Sequence, residues 1–136
     1  MDLELLHTVV DTGLCVLVWL VQLVIYPGFC YYSEPDVKKW HRSYTRRISW
    51  IVLPLMVSQL IWHAYASISY PSFPSVVLLL LVISTWVVTF FIAVPLHQRI
   101  DTSVDSYPFR ERLVKVNWMR TMAWTCIWIT SLLYYG

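Results

Sequence analysis

An all-α integral membrane protein, built as an antiparallel bundle of four transmembrane helices, is the fold class this sequence predicts, on three observations. Its composition is far from that of a soluble domain: 58% of 136 residues are hydrophobic and 13% are charged, against roughly 45–50% and about 25% in soluble domains. Four apolar runs approach the roughly 20 residues a helix needs to cross a bilayer. The Lys and Arg residues all fall in or beside two of the three connections between those runs.

The length suits a single domain, residues 1–136. Eight tryptophans and nine tyrosines suit the membrane–water interface, where an apolar ring carries a polar tip. A net charge of +2, with no aromatic–basic motif, gives no footing for nucleic acid. Cys15, Cys30 and Cys126 form neither a disulfide framework nor a Cys-x-x-Cys pair and read as apolar packing residues.

The first span is expected at about 5–26. Asp2 and Glu4 precede it and no basic residue does, so it reads as a retained anchor and not a cleaved signal peptide. In the connection that follows, Ser33 with Glu34, Pro35 and Asp36 has the form of a helix start: a cap, a first-turn proline and early acids. Val37, Trp40 and Tyr44 recur at helical spacing, which predicts a short interfacial helix ahead of the second span at about 48–69. The uncharged, proline-punctuated stretch SYPSFPS predicts a tight turn. The third span is expected at about 76–96, a polar loop at 97–112 and the fourth span at about 113–134. Lys38, Lys39, Arg42, Arg46 and Arg47 lie around the first connection, and Arg99, Arg110, Arg112, Lys115 and Arg120 around the last. The positive-inside rule therefore predicts both long connections in the cytoplasm and both termini outside. The two hairpins also echo each other. LVIYPGF and FIAVPLH close the first and third spans, while TRRISW and VNWMRTMAW open the second and fourth. Such an echo fits parallel repeats about an axis along the membrane normal, or independent use of the same interface anchors.

Ionisable and polar groups inside spans cost several kcal/mol and tend to face a bundle interior. At the cytoplasmic mouth these are Tyr26, His41, Gln59, His97, Asn117 and Arg120. Asn117, Arg120, Thr121 and Trp124 share one helix face by their spacing. Pro95 lacks an N–H and obstructs the carbonyl one turn back, so the helix there is expected to loosen and turn His97 across the bundle. His97 as the titratable group, Arg120 as the anion partner and Asn117 as the orienter would suit a lipid headgroup, a quinone carbonyl or a haem propionate. The alternative is that His97 and Arg99 merely anchor a helix end. In the outer half, His7, Asp11 and His63 either form a metal or haem ligand set or reduce to an interhelical Asp11–His63 hydrogen bond. Asp101, Asp105 and Glu111 read as a solvated, arginine-matched face. No phosphate-cradling glycine loop or nucleophile elbow is present, so no catalytic residue is assigned.

The blocks WLVQLVIYPGF, WHRSYTRRISWIVLPLM, VPLHQRI and RLVKVNWMRTMAWT together resemble a family of small bacterial four-helix integral membrane proteins to which no activity is attached. The resemblance implies this architecture and a bacterial inner membrane. Related sequences carry His where Ile25 and Tyr44 stand and Glu where Gln59 stands. A looser similarity, through His7 and RRISWIVLPLM, is to small haem-binding membrane proteins of the protoporphyrinogen-oxidase type; it implies haem as a cofactor. Three functional readings follow: a protein binding an amphiphile or cofactor (haem, quinone or lipid) at the mouth, with or without redox activity; an accessory subunit of a larger membrane complex; and a small oligomeric transporter.

Overall fold

The computed structural model describes residues 3–135. Among these, every regular element is helical and the helices form four antiparallel rods. The first rod is α1 (Leu3–Leu20), a π-helical turn (Val21–Ile25) and the single turn α2 (Tyr26–Phe29). The second is α3 (Glu34–Ser69). The third is α4 (Phe73–Val88), a second π turn (Thr89–Ala93) and α5 (Val94–Thr102). The fourth is α6 (Tyr107–Tyr135). Each rod packs on its neighbours in chain order, and α6 closes the ring against α1. Three rods are long and apolar enough to cross a membrane.

Local chemistry sets the boundaries. Ser33 caps α3, its hydroxyl accepting from the Asp36 N–H, with Pro35 in the first turn. Past that cap no glycine or proline interrupts the chain before Pro54, so the expected short interfacial helix is instead the first turns of one unbroken 36-residue rod. Ser72 and Ser75 form a reciprocal capping box at the start of α4. The expected polar loop at 97–112 is much shorter than its sequence suggests: α5 continues to Thr102 and α6 begins at Tyr107.

The two π turns have one cause. Pro27 and Pro95 cannot donate to the carbonyl one turn back, and their rings crowd it. The chain answers by widening the preceding turn, with the Tyr26 N–H bonding Val21 O and the Val94 N–H bonding Thr89 O. Pro27 and Pro95 are 68 residues apart, as are Val21 and Thr89, and as are Trp50 and Trp118; that offset is half of the 136-residue chain. The echo between the hairpins thus extends to an uncommon backbone feature at matching positions.

In a bilayer, helix association rests on close packing and interhelical hydrogen bonds, the latter about 0.6 kcal/mol each on average. The fourth rod spends its polarity this way. Trp19 donates to Thr125 (3.0 Å), Trp128 to Thr12 (2.9 Å), Gln22 to Val114 O (3.2 Å) and Asn117 to Gln22 (2.9 Å). Among the described residues α6 lacks the long apolar stretch that the other three rods have. Two clusters of buried residues form the core. One centres on Leu14, Met56, Leu78, Trp124 and Ile127; the other, toward the 30–33 and 103–106 connections, on Phe29, Tyr44, Ile100 and Leu113. Trp50, Ile68, Phe91 and Leu133 stand on the outer surface, each more than three-quarters exposed.

The end of the bundle that carries those two connections, here termed the mouth, is latched by Arg110. Its Nε donates to Ser106 Oγ (2.8 Å), Nη1 to Phe29 O (3.1 Å) and Tyr32 O (2.9 Å), and Nη2 pairs with the Glu34 carboxylate. Ser106 donates to the same carboxylate. The opposite end holds the 70–72 turn and both described chain ends, joined by a 2.7 Å bond between Ser72 and Tyr134.

Candidate functional site

Between the two core clusters lies a cavity of about 330 Å³, within the roughly 300–1,000 Å³ range of small-molecule pockets. Its deep wall is apolar, from Leu14, Val18, Met56 and Trp124. Residues of both π turns border it: Val21 from the first rod, Thr89, Phe90 and Ala93 from the third. Its exposed rim is Leu53 on the second rod with Phe90 and Gln98 on the third, so it opens through the seam between these rods. At the mouth end the wall turns polar, with Tyr26, Tyr44, His97, Asp101 and Arg120.

Arg120 dominates this polar wall. It is 8% exposed, and no carboxylate among the described residues pairs with it. Its Nη1 donates to Asn117 Oδ1 (3.2 Å), its guanidinium carbon sits 5.0 Å from the Trp124 ring centre, and its Nε has no partner. The hydroxyls of Tyr26 and Tyr44 lie within its electrostatic reach. Asn117 is itself fixed by donating to Gln22 Oε1, to which Thr121 also donates. A buried guanidinium costs several kcal/mol to desolvate, and a desolvated cation–π contact returns about 2 kcal/mol. The balance is available to an anionic or strongly accepting group.

Beside Arg120 runs a continuous chain of hydrogen bonds. Tyr26 Oη is 3.0 Å from His97 Nε2, His97 Nδ1 is 2.7 Å from His41 Nε2, and His41 Nδ1 is 2.8 Å from Asp101 Oδ1. A carboxylate only accepts, which assigns every donor in the resting chain. His41 Nδ1–H donates to Asp101, His97 Nδ1–H to His41 and Tyr26 O–H to His97. Stacking of the two imidazoles (4.9 Å) and the edge of Phe29 against His41 (5.3 Å) hold the rings.

Of the mouth residues expected from sequence, Tyr26, His97 and Arg120 line the cavity together. His41 stands behind His97, and Asn117 behind Arg120. Gln59 does not belong to this group. It lies on the other side of the Trp124 indole, accepting from Trp124 Nε1 (3.0 Å) and donating to Asp11 (2.7 Å). Asp101, expected on a solvated face, is instead the partner of His41; its position one helical turn beyond His97 was the available signal. Tyr44, which lines the cavity, carried only the helical spacing it shares with Val37 and Trp40, and Gln22, which fixes Asn117, only its place in an apolar run.

Of the second expected constellation, the structure shows the Asp11–His63 hydrogen bond. Asp11 bonds His63 (3.2 Å) and Gln59, while His7 stacks on Trp62 (4.6 Å). Among the described residues no three His, Cys, Asp or Glu side chains converge as a metal set. No family model, curated protein or solved structure matches this chain.

Proposed function

We propose that this is an integral membrane protein that draws an amphiphile from the bilayer and holds its polar head at the mouth of the bundle. Arg120 is the anion partner, Tyr26 and Tyr44 supply hydroxyls, and the head's apolar body fills the Leu14–Met56 side of the cavity. In this reading all four rods span the membrane, the mouth faces the cytoplasm and both termini lie outside. The supporting observation is Arg120 itself: a buried guanidinium with no carboxylate partner among the described residues, on the wall of a largely apolar cavity that opens between two rods. A guanidinium fork suits carboxylate, phosphate or an accepting carbonyl. Haem fits this site less well, because both nitrogens of His41 and of His97 are already hydrogen-bonded. A lipid headgroup or a quinone-like head needs no free imidazole.

The test is a mass spectrum of the organic extract from protein purified in mild detergent. The wild type should carry an amphiphile in near-stoichiometric amount, and Arg120→Ala should lose it while melting at a similar temperature. An extract free of any such compound, or equal retention by the variant, would contradict the reading. Labelling of single cysteines placed at Val104 and Leu5 tests the orientation; both reacting from the same side would overturn it.

A further inference from the structure

The hydrogen-bonded chain beside Arg120 has more order than a binding wall requires. Its members come from three different helices: Tyr26 from α2, His41 from α3, and His97 and Asp101 from α5, with Arg120 of α6 set against the Tyr26 end. Its two ends differ. Asp101 has a side chain 24% exposed at the rim, whereas Tyr26 is 3% exposed and faces the cavity beside the guanidinium. The two residues between them are imidazoles, the one side chain that can accept a proton on one nitrogen while releasing another from the opposite nitrogen. The heavy-atom separations of 2.7–3.0 Å are those of direct transfer.

We infer that Tyr26, His97, His41 and Asp101 form a proton path between the cavity and the aqueous mouth, and that the bound head therefore carries an exchangeable O–H. The inference rests on the ligand reading above. The transfer balances without any electron changing hands. The O–H bond of the ligand breaks and its proton goes to Tyr26 Oη as the tyrosine proton passes to His97 Nε2. The His97 Nδ1 proton passes to His41 Nε2, the His41 Nδ1 proton to Asp101, and Asp101 yields one to water. The ligand is left as an oxyanion facing Arg120, and both imidazoles have exchanged tautomers. The chain is then polarised for the reverse movement, so uptake and release alternate. Two ligand sources share this chemistry: a weak-acid lipid headgroup and a hydroquinone-type ring.

An octyl-substituted para-nitrophenol is a direct probe, since its O–H ionisation is read as visible absorbance whether bound or free. Saturable binding to the wild-type protein in detergent would be established first. The complex is then mixed rapidly with buffer of higher pH, and the rate at which bound phenol becomes phenolate is recorded. His41→Gln keeps hydrogen-bonding atoms at a position that does not line the cavity but cannot exchange tautomers. Asp101→Asn removes the exit and supplies a second variant should His41→Gln fold poorly. His41→Gln is expected to bind the phenol within about twofold of wild type, and both variants, compared at saturating phenol, to slow its deprotonation at least tenfold. A wild-type rate in either folded variant overturns the path. Absence of saturable binding to the wild type would instead remove the ligand reading, and the path with it. Natural sources are separated by competition: displacement of the phenol by a long-chain fatty acid or by a short-chain hydroquinone identifies which head the site prefers.

Discussion

Arg110 and Arg120 are buried on the same helix, three turns apart, for opposite reasons. Arg110 is 2% exposed and its donors reach Ser106, two backbone carbonyls and Glu34. Arg120 is 8% exposed and has one amide oxygen, an indole face and an unpartnered Nε. The first arginine ties the connection after the first rod to the one before the fourth, and nothing about it is left over for a ligand. The second is positioned by Asn117 and Trp124 but has no carboxylate partner among the described residues, and it lines the cavity. A saturated buried charge marks architecture; an unsaturated one beside a cavity marks a place where something else completes the contact.

That contrast breaks first at Arg110. Arg110→Ala strands a carboxylate and two carbonyls; removing one partner of a buried pair costs about 3–5 kcal/mol. The one-third exposure of Glu34 puts the value near the lower bound. Thermal unfolding in detergent should show a large drop in melting temperature. Arg120→Ala should do the reverse: unfolding little changed or slightly raised, and loss of about 2–5 kcal/mol in affinity for an anionic amphiphile, measured by titration with a detergent-solubilised fatty acid or alkyl phosphate. Asp11→Asn serves as a control at the other end of the molecule. It weakens the Gln59 and His63 contacts at a cost of about 1–3 kcal/mol in stability, and retention of the co-purified amphiphile should not move. The smallest effect is expected from Asn117→Ala. Losing the hydrogen bond that aims Arg120 should weaken binding by about 1 kcal/mol, roughly fivefold by the same titration. If Arg120→Ala and Arg110→Ala instead lowered stability alike, the distinction between latch and site would fail.

The same comparison shows how far the sequence could be read. Long apolar runs predict helices because only helices and closed barrels satisfy their backbone within lipid, and a barrel strand needs only about 9–11 residues; three of the four rods meet the helical description directly. Pro95 announced a disturbance at the mouth, though not that the helix would answer with a π turn, nor that Pro27 would do the same. Tyr26, His97 and Arg120 were visible because polar groups at span ends stand out against leucine and valine. Asp101 was not, since a carboxylate among arginines looks solvated until the third rod is known to run on to Thr102 and bring it over His41. Gln59 was misplaced because it stands about five helical turns beyond His41 on the same rod, too deep for the mouth and level with Asp11. Arg120 stood out by its place inside the fourth span, whereas Arg110 read as one more basic residue of the last connection. That one is saturated and the other is not comes from what the neighbouring rods present.

The measurement that bears most directly on the account is an experimental structure of the protein in lipid nanodiscs prepared from its native membrane. It should show elongated density in the Leu14–Met56 cavity, with a polar head within hydrogen-bonding distance of the Arg120 guanidinium and of the Tyr26 hydroxyl. A cavity filled by its own side chains, or Arg120 turned outward to the headgroups with no density beside it, would contradict the account.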